Sequence, residues 1–396
     1  MTPETLSTRV GIVGGGPSGL LLSHLLSTAG IDSIGVAIRD REAVRTSPGS
    51  ALLEPDNVSV LVESGASDRI LTAGRRAEGI GLRFEEVSHR VDFTDLIGAA
   101  VWLYPRSEVF ADLAAARDRD GGRAFYSASE LHVLDQATDT PKISFVGADG
   151  GRRRVHCDIV VGADGAQGTS RWSIPPSMRI DNFVEYPVAW FGIRCQAPPT
   201  ADEPLYCASD RGFALVSPAE RGIQRMYFQC SPDEDVYDWS DEMIWDELQR
   251  RLDGPDGLRL HRGPIIDKSV QRFRSYVCEP LRHGNLFLAG DAGHTLPPIA
   301  AKGLNLALAD ATVLFEGIDS FYANGSRDLL DSYSERSLRR VWKALSFSGW
   351  LTDLLHTRPD AGRFDRKRQL GELAGVVGSR YGSAYLAEAF TGWPAR

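Results

Sequence analysis

A run of glycines near the start of the chain has the residue types and spacing that bind a phosphate group. Gly14-Gly15-Gly16-Pro17-Ser18-Gly19 fits the pattern G-x-G-x-x-G, after a short β-branched run and before an apolar segment. In such a loop the first glycine permits a tight turn, the second lets the backbone approach a pyrophosphate, and the third allows close packing of helix on strand. The phosphates then lie at a helix N-terminus, where free N–H groups and the dipole favour negative charge. The pattern predicts a dinucleotide site that uses Gly14, Gly16 and Gly19, and a glycine turn without a ligand is the alternative.

Two later aspartates follow apolar runs of the kind found in buried parallel strands. Asp164 lies in CDIVVGADG, residues 157–165, and Asp291 lies in NLFLAGDAGH, residues 285–294. An acidic residue that binds the ribose is expected about 20 residues after the glycine loop. Ala37 stands at that place, and Asp40 is the nearest acid. We therefore expect either weaker ribose binding or another group in place of the missing carboxylate.

The elements that must position these residues predict an α/β fold. The first 40 residues contain a strand, a helix and a second strand, which form a βαβ unit. Residues 181–272 alternate aromatic and β-branched runs with Pro-rich turns, and residues 326–356 have apolar side chains near helical spacing. We expect a Rossmann-like nucleotide-binding domain over 1–180, a β-rich substrate domain over 181–272, and a segment 273–396 that completes the first domain and adds C-terminal helices. The apolar stripe of that segment either packs on the rest of the protein or forms a dimer contact.

Composition argues against several classes of protein. The net charge of -9 does not suit nucleic acid, which needs clustered Lys and Arg. No apolar stretch is long enough to cross a bilayer, and the N-terminus lacks the layout of a signal peptide. The five cysteines and eight histidines are scattered, without a disulfide framework or metal-ligand spacing. We expect a cytoplasmic globular protein with reduced thiols and with no metal, nucleic-acid partner or membrane span.

One stretch of the β-rich segment has the features of a binding-site hairpin. Residues 213–229, FALVSPAERGIQRMYFQ, contain two runs with strand character around a turn. Ser217, Arg225 and Tyr227 are polar residues among large apolar ones, as in a strand that faces a ligand. The pattern predicts that this hairpin lines a site.

The three glycine-containing motifs, at these separations, resemble those of the FAD-dependent aromatic hydroxylases, the single-component flavoprotein monooxygenases. Within that family the chain is similar to the 4-hydroxybenzoate 3-monooxygenases along nearly its whole length, through GPSGLLL, YCASDRGFAL, EDVYDWSDE, LFLAGDAGH, AKGLNLA and TGWP. The resemblance implies a FAD-binding fold with non-covalent FAD, NADPH or NADH as the hydride donor, and O2 as the oxidant. It also implies a small aromatic substrate and suggests a homodimer.

The resemblance also implies which residues hold the cofactors. For FAD they are Gly14, Gly16, Gly19, Arg106, Asp164, Arg225, Asp291, Leu304 and Asn305. Asp291 is implied to reach the ribityl chain, whereas Arg106 has the alternative of an ordinary surface arginine. For the nicotinamide cofactor they are Arg39, Arg41, Arg45, Arg171 and Arg274. Gly49 replaces an arginine of the family near the cofactor phosphates, so the choice between NADH and NADPH stays open.

For the aromatic substrate, the resemblance implies a pocket that retains only some of the family's groups. Tyr206 matches the tyrosine that bonds the phenol oxygen, Ser217 and Tyr227 match two groups that hold a carboxylate, and Pro298 belongs to the same pocket. Ala219 stands where the family has the arginine that holds the carboxylate most strongly. A tyrosine and a histidine of the family's proton relay are replaced by Phe390 and Ala77.

Loss of the carboxylate-binding arginine is large enough to change the substrate. Removing one partner of a buried ion pair costs about 3–5 kcal/mol, which is roughly two or more decades of affinity. We therefore expect a phenolic or hydroxy-heteroaromatic substrate that is neutral and more apolar than 4-hydroxybenzoate, although Arg221 is close enough in sequence to substitute. Tailoring of a secondary metabolite fits this expectation, and a hydroxylase of a piericidin-type pyridinol pathway is one candidate.

Two other functions are compatible with the sequence. A halogenase or reductase on the same fold is one, but Arg171-Trp172-Ser173-Ile174-Pro175 has only one tryptophan of the halogenase pattern Trp-x-Trp-x-Ile-Pro. A non-catalytic flavin or nucleotide sensor is the other, and Ala37, Gly49 and the broken relay favour it. A purified protein that is not yellow and takes up no FAD would support the sensor.

Overall fold

The computed structural model describes residues 3–45, 52–219 and 222–393. Within them the strands are β1 (Glu4–Ser7), β2 (Val10–Val13), β3 (Ser33–Val36), β4 (Leu52–Leu53), β5 (Arg75–Ala77), β6 (Gly79–Phe84), β7 (Val87–Asp92), β8 (Val101–Leu103), β9 (Arg123–Phe125), β10 (Ser129–Leu134), β11 (Lys142–Val146), β12 (Arg152–His156), β13 (Ile159–Gly162), β14 (Ile180–Gln196), β15 (Leu205–Ser209), β16 (Gly212–Pro218), β17 (Ile223–Cys230), β18 (Ile265–Glu279), β19 (Arg282–His283), β20 (Leu286–Leu288) and β21 (His294–Thr295). The α-helices are α1 (Pro17–Thr28), α2 (Arg41–Arg45), α3 (Pro55–Glu63), α4 (Arg69–Ala73), α5 (Phe93–Ile97), α6 (Arg106–Arg119), α7 (Asp241–Leu252), α8 (Lys302–Asn324), α9 (Asp328–Asp331), α10 (Tyr333–Leu355), α11 (Arg363–Val377) and α12 (Arg380–Thr391). Short 3₁₀ turns cover Ser170–Ser173, Val236–Asp238, Gly290–Ala292 and Pro298–Ala300.

A six-stranded sheet with the order β19-β20-β13-β2-β3-β9 forms the nucleotide-binding part of the molecule. β2 is buried along its whole length and pairs in parallel with β3 on one side and β13 on the other. β9 and β20 continue the parallel arrangement, and only β19 is antiparallel to its neighbour. Helix α1 starts directly after the glycine loop and packs against α6 and α8. The predicted βαβ unit, the two later buried strands and the α/β fold class are confirmed.

An eight-stranded sheet with the order β21-β18-β14-β17-β16-β15-β6-β7 forms the second layer of the molecule. Its β16 and β17 pair in antiparallel register, from Ala214 opposite Phe228 to Pro218 opposite Gln224, which confirms the predicted hairpin. One face of the sheet packs on α7 through an apolar cluster that includes Phe228. The other face packs toward α10 and α12, and the polar residues of the hairpin lie on this side.

This sheet extends beyond the predicted β-rich segment. β6 and β7, residues 79–92, come from the N-terminal part of the chain and join the sheet through the parallel pair β6–β15. Leu82 lies opposite Tyr206 in that pair. The boundaries at residues 180 and 272 stay a prediction, and the strands on the two sides of the first boundary share one sheet.

Two smaller sheets and the C-terminal helices complete the fold. The small sheets have the orders β1-β12-β11-β10 and β4-β8-β5. The predicted helical segment 326–356 is confirmed as α9 and α10. Leu330, Tyr333 and Val341 of its apolar stripe are buried in the protein core, whereas Trp342 is exposed. Most of the stripe therefore packs on the protein itself, and a dimer contact stays a prediction.

Two features are absent from the described part of the chain. No helix there is long and apolar enough to cross a membrane. No group of three or more His, Cys, Asp or Glu side chains in these residues is placed to hold a metal ion. The five cysteines, which all lie in the described ranges, are free thiols, and only Cys230 is not fully buried.

Candidate active site

The glycine loop forms a cradle at the N-terminus of α1. Gly14 has φ +122°, and a Cβ atom there would collide with the Ala163 carbonyl group. A Cβ atom on Gly19 would lie 2.8 Å from the Gly14 carbonyl oxygen, so this glycine allows close packing of helix and loop. A Cβ atom on Gly16 would meet nothing within 4 Å, which leaves open space in front of the helix. The loop thus has the room and the free N–H groups that a pyrophosphate needs.

Two buried polar atoms beside this cradle have no protein partner in the described structure. They are the Ser18 hydroxyl, in the first turn of α1, and Asp164 Oδ1, at the end of β13. Asp164 Oδ2 accepts hydrogen bonds of 2.9 Å from the backbone N–H and the hydroxyl of Ser170. Burial raises the pKa of Asp164. Because buried polar atoms are normally hydrogen-bonded, Ser18 and Asp164 fit a bound dinucleotide at this place.

The segment around Asp291, residues 285–294, is the third glycine-containing motif. It is held in position by a buried ion pair that the sequence did not reveal. Gly290 N–H donates to Asp310 Oδ2 over 2.9 Å, and His294 Nε2 lies 2.7 Å from the same oxygen. Burial lowers the pKa of His294, but the charge and hydrogen bond of Asp310 outweigh it and raise the pKa. The Asp291 carboxylate, by contrast, is half-buried, and the structure describes no protein partner for it. The Asp291 carboxylate is therefore available to a ligand, and its contact with the flavin stays a prediction.

The arginines predicted to bind the nicotinamide cofactor have different environments. Arg171 is buried and donates to the carbonyl oxygens of Gly165 (2.8 Å) and Asp291 (2.9 Å), so it ties the second motif to the third. Arg274 is exposed on β18. The remaining arginines, 39, 41 and 45, lie in or beside α2. Arg39 donates to the Ala43 carbonyl oxygen, Arg41 pairs with Asp118, and the side chain of Arg45 and all of Gly49 lie outside the described residues.

The segment predicted to lie along the flavin folds into a 3₁₀ turn followed by the start of α8. Asn305 is buried and donates to the carbonyl oxygens of Leu52 (2.7 Å) and Ala301 (3.0 Å). Its own side-chain oxygen accepts from the Glu54 N–H over 2.9 Å. Lys302, also buried, pairs with the Glu54 carboxylate at 2.5 Å. Asn305 therefore fixes the turn to β4, and the pair of Lys302 with Glu54 is a feature that sequence reasoning did not single out.

Two predicted FAD residues, Leu304 and Arg106, and the predicted substrate-pocket residue Pro298 have no specific contact that defines a role. Leu304 is half-buried against the core of the nucleotide-binding part. Arg106 starts α6 and is half-buried, and Pro298 is half-buried in the 3₁₀ turn. These assignments stay predictions.

Tyr206 lies at the bottom of an apolar region on the inner face of the eight-stranded sheet. Its side chain is buried, and its hydroxyl donates to the Ile299 carbonyl oxygen over 3.3 Å. The Phe390 ring packs against it edge-on at 5.6 Å. Burial, followed by the neighbouring Tyr227, raises the pKa of Tyr206, so the hydroxyl stays protonated. Ala77 and Phe390 are fully buried in the same cluster, so the two predicted relay positions are filled with apolar atoms.

The hairpin brings the other predicted substrate residues onto the same face. Ser217 lies opposite Arg225 in register, and its hydroxyl donates to the Pro218 carbonyl oxygen over 3.0 Å. Ala219 is half-buried at the turn, where its N–H donates to Ile223. Arg225 is 7% exposed, and no side chain of the described residues pairs with it. The structure thus places the Arg225 cation on this face, two residues before Tyr227 and unpaired among the side chains that are described. The turn residues Glu220 and Arg221 lie outside the described residues.

An aromatic cluster behind Tyr227 was not predicted. A Cβ atom on Gly192 would lie 2.8 Å from Tyr227 Cε1, so this glycine lets the ring lie flat on β14. The ring packs on Trp190 at 4.8 Å, and Trp190 Nε1 donates to His356 Nε2 over 2.8 Å. His356 also stacks on Phe213 at 4.5 Å. Burial lowers the pKa of His356 to about 3, so its ring is neutral near pH 7. His356 follows the end of α10 and is far from Trp190 in sequence, so only the folded structure shows that the two are in contact.

Comparison with known proteins agrees with this geometry. The chain matches the model of the FAD binding domain family over residues 7–348. It is 39% identical over 393 residues to p-hydroxybenzoate hydroxylase of Acinetobacter baylyi, covering 99% of this chain and 96% of that protein. It is 26% identical over 342 residues to a 3-(3-hydroxy-phenyl)propionate/3-hydroxycinnamic acid hydroxylase of Mycolicibacterium gilvum, covering 84% of this chain and 57% of that protein.

Two solved structures show the same fold at low sequence identity. The p-nitrophenol 4-monooxygenase of Pseudomonas putida superposes with a TM-score of 0.82 at 18% identity, covering 99% of this chain and 100% of that one. The anhydrotetracycline hydroxylase of Streptomyces rimosus gives 0.75 at 20% identity, covering 99% and 77%. The predicted family resemblance and the hydroxylase class are confirmed, which argues against a non-catalytic sensor. The chain belongs to the FAD binding domain family and is a flavin-dependent aromatic hydroxylase.

Proposed function

We propose that this hydroxylase uses NADPH or NADH and O2 to hydroxylate a phenolic or hydroxy-heteroaromatic ring that is neutral and more apolar than 4-hydroxybenzoate. A secondary metabolite is the class of substrate that fits best. When bound, FAD supplies the redox chemistry. The residues of the chain bind and orient the ring and keep water away from it.

The observation that carries this proposal is the apolar environment of Tyr206. Its side chain shares a buried cluster with Leu215, Phe213, Phe390 and Ala77, and its hydroxyl donates to the Ile299 carbonyl group. The Tyr206 hydroxyl has a single proton, so it can donate to a phenol oxygen by turning away from the Ile299 carbonyl group, or accept from a phenol O–H while it keeps that bond. The surrounding apolar side chains favour an uncharged ring. A carboxylate buried among them without a partner would cost several kcal/mol.

A second candidate substrate is a carboxylated phenol, and one observation favours it. Arg225 is buried on the same face of the hairpin, and no side chain in the described ranges pairs with it; a buried cation normally has an anionic or hydrogen-bonding partner. We assign Arg225 to the flavin side of the site, but a substrate carboxylate would satisfy it as well. The 39% identical relative from Acinetobacter baylyi is named a p-hydroxybenzoate hydroxylase.

A titration of the FAD-loaded protein distinguishes the two substrate classes. Methyl 4-hydroxybenzoate and 4-hydroxybenzoate are matched probes, because they differ in one charge at the ring substituent. Flavin absorbance reports binding, and NADPH or NADH oxidation measured together with product formation reports coupled turnover. We expect tighter binding and better coupling with the ester. Tight binding and coupled turnover of 4-hydroxybenzoate itself would contradict the proposal and favour Arg225 as the carboxylate partner.

A further inference from the structure

A cavity of about 200 Å³ lies beside the glycine loop and extends past the end of β3. Its lining includes Gly15, Ala37, Arg41, Asp118 and Tyr126. The end of β3 is the place where a carboxylate is expected to bind the ribose of a dinucleotide. Here Ala37 directly follows β3, is buried, and offers only a methyl group. The ribose of a dinucleotide seated on the glycine loop must therefore find its partners on other walls of the cavity.

Tyr126 occupies the space that the small side chain of Ala37 leaves. A Cβ atom on Gly15 would lie 3.0 Å from Tyr126 Cε1 and 3.1 Å from the Ala37 Cβ atom. The Tyr126 ring, which follows β9, thus lies over the glycine loop directly beside Ala37. A glutamate at position 37 would compete with this ring for the same space. The alanine at the strand end and the tyrosine after β9 therefore form a complementary pair.

The same wall carries the polar groups that a ribose requires. Arg41 holds Asp118 through two hydrogen bonds, of 3.0 Å and 2.6 Å, which fix the carboxylate at the rim of the cavity. Tyr126 lines the same cavity as Arg41 and Asp118. Burial raises the pKa of Tyr126, so its hydroxyl stays protonated near pH 7. A protonated hydroxyl and a carboxylate together offer one donor and several acceptors. A vicinal diol, which has two O–H donors and two acceptor oxygens, matches this set.

We propose that Tyr126 and Asp118, with Asp118 oriented by Arg41, bind the ribose in the adenosine half of FAD. They replace the acidic residue that the end of β3 lacks, and Ala37 makes room for Tyr126. The proposal rests on the binding of FAD to the glycine loop. It also gives Arg41 a different role from contact with the nicotinamide cofactor, because its guanidinium is already engaged by Asp118 at this rim.

Binding of FAD and FMN to the flavin-free protein tests the proposal, because FMN lacks the adenosine half. The variants are Tyr126→Phe and Asp118→Asn. The control is Glu108→Gln, which removes another carboxylate of α6 that pairs with Arg69 away from the cavity. Flavin fluorescence gives the Kd values, and ADP-ribose serves as a competitor of FAD. We expect both variants to weaken FAD and ADP-ribose by roughly five- to fiftyfold, while FMN binding and the control stay as in the wild type.

Three results would overturn the proposal. They are unchanged FAD binding in both variants, equal weakening of FAD and FMN, and an effect confined to the KM for NADPH or NADH. A wild-type protein that binds no FAD would instead contradict the flavin site itself, so the two failures are distinguishable.

A double variant gives a second test that does not depend on loss of binding. Ala37→Glu alone should weaken FAD binding, because the new side chain collides with Tyr126. Ala37→Glu combined with Tyr126→Ala should restore it, since the carboxylate then has room to reach the ribose. Equal FAD affinities of the single and double variants would show that Tyr126 does not share this space with residue 37.

Discussion

A cation introduced at Ala219 tests directly whether this position faces the substrate. Ala219 is half-buried at the end of β16, and its N–H donates to the Ile223 carbonyl group over 3.2 Å. The backbone is therefore held by the hairpin, and a longer side chain can extend without a change of fold. On the same face Ser217 and Tyr227 supply neutral polar groups. We predict that Ala219→Arg raises the affinity for 4-hydroxybenzoate and has little effect on its methyl ester.

The size of the effect follows from the exposure of Ala219. Breaking a fully buried ion pair costs about 3–5 kcal/mol, but water partly screens a charge at a half-buried position. A hydrogen bond to a charged group contributes about 1.5–3 kcal/mol. This corresponds to roughly a 10- to 150-fold lower Kd. The pair should also weaken with salt, since a partly exposed charge is screened.

The assay is a titration of the FAD-loaded wild type and variant, followed by flavin absorbance at low and high ionic strength. Ala219→Met is the matched control, because it adds a long side chain without a charge. The quantity to compare is the ratio of Kd values for the acid and the ester. If Ala219→Arg and Ala219→Met change this ratio equally, or neither changes it, Ala219 does not face the substrate and the pocket has been placed wrongly.

Three further predictions concern the cofactor cradle and two buried histidines. Gly14→Ala should lower the melting temperature, because the φ of +122° and the nearby Ala163 carbonyl group exclude a side chain. Gly16→Ala should leave the melting temperature unchanged and weaken FAD binding. Equal melting temperatures of the two variants would contradict this prediction. Asp310→Asn should destabilise the protein by about 3–5 kcal/mol, and denaturation should show a larger loss at pH 6 than at pH 9. The reason is that the pKa of His294 is raised in the folded state. The stabilisation by its ion pair with Asp310 is therefore complete below the unfolded-state pKa of about 6.5. It is lost as pH rises through the folded-state pKa of His294. His356→Leu should make stability less dependent on pH between about 6.5 and 3, because the folded-state pKa of His356 is lowered to about 3 and protonation favours unfolding; an unchanged acid-side slope would contradict this.

Local patterns were sufficient to predict the nucleotide-binding part of the fold. The βαβ unit, the strands before Asp164 and Asp291, and the hairpin at residues 213–229 all appear as expected. Each depends on contacts between neighbours in sequence, or on a glycine whose backbone geometry excludes a side chain. The pairing of β6 with β15 was not predicted, because it joins strands that are far apart along the chain and have no shared sequence signal.

The site shows the same division between local and distant contacts. Tyr206, Ser217 and Tyr227 fall on one face of the sheet, since the period of a strand fixes their direction. Two buried partners of the site were missed: Asp310, which bonds Gly290 and His294, and His356, which bonds Trp190 behind Tyr227. Asp310 lies within an apolar stretch of α8 and His356 at the end of α10, and only the packed fold shows what each of them contacts.

The parallel pair of β6 and β15 has a consequence for how this enzyme can be divided. A fragment of residues 181–272 would lose β6 and β7 and leave the outer edge of β15 with unpaired N–H and C=O groups. Exposed edges of this kind recruit other strands and lead to aggregation. The substrate sheet cannot therefore be transplanted between relatives as a single continuous segment. An exchange that changes substrate preference must carry residues 79–92 with it.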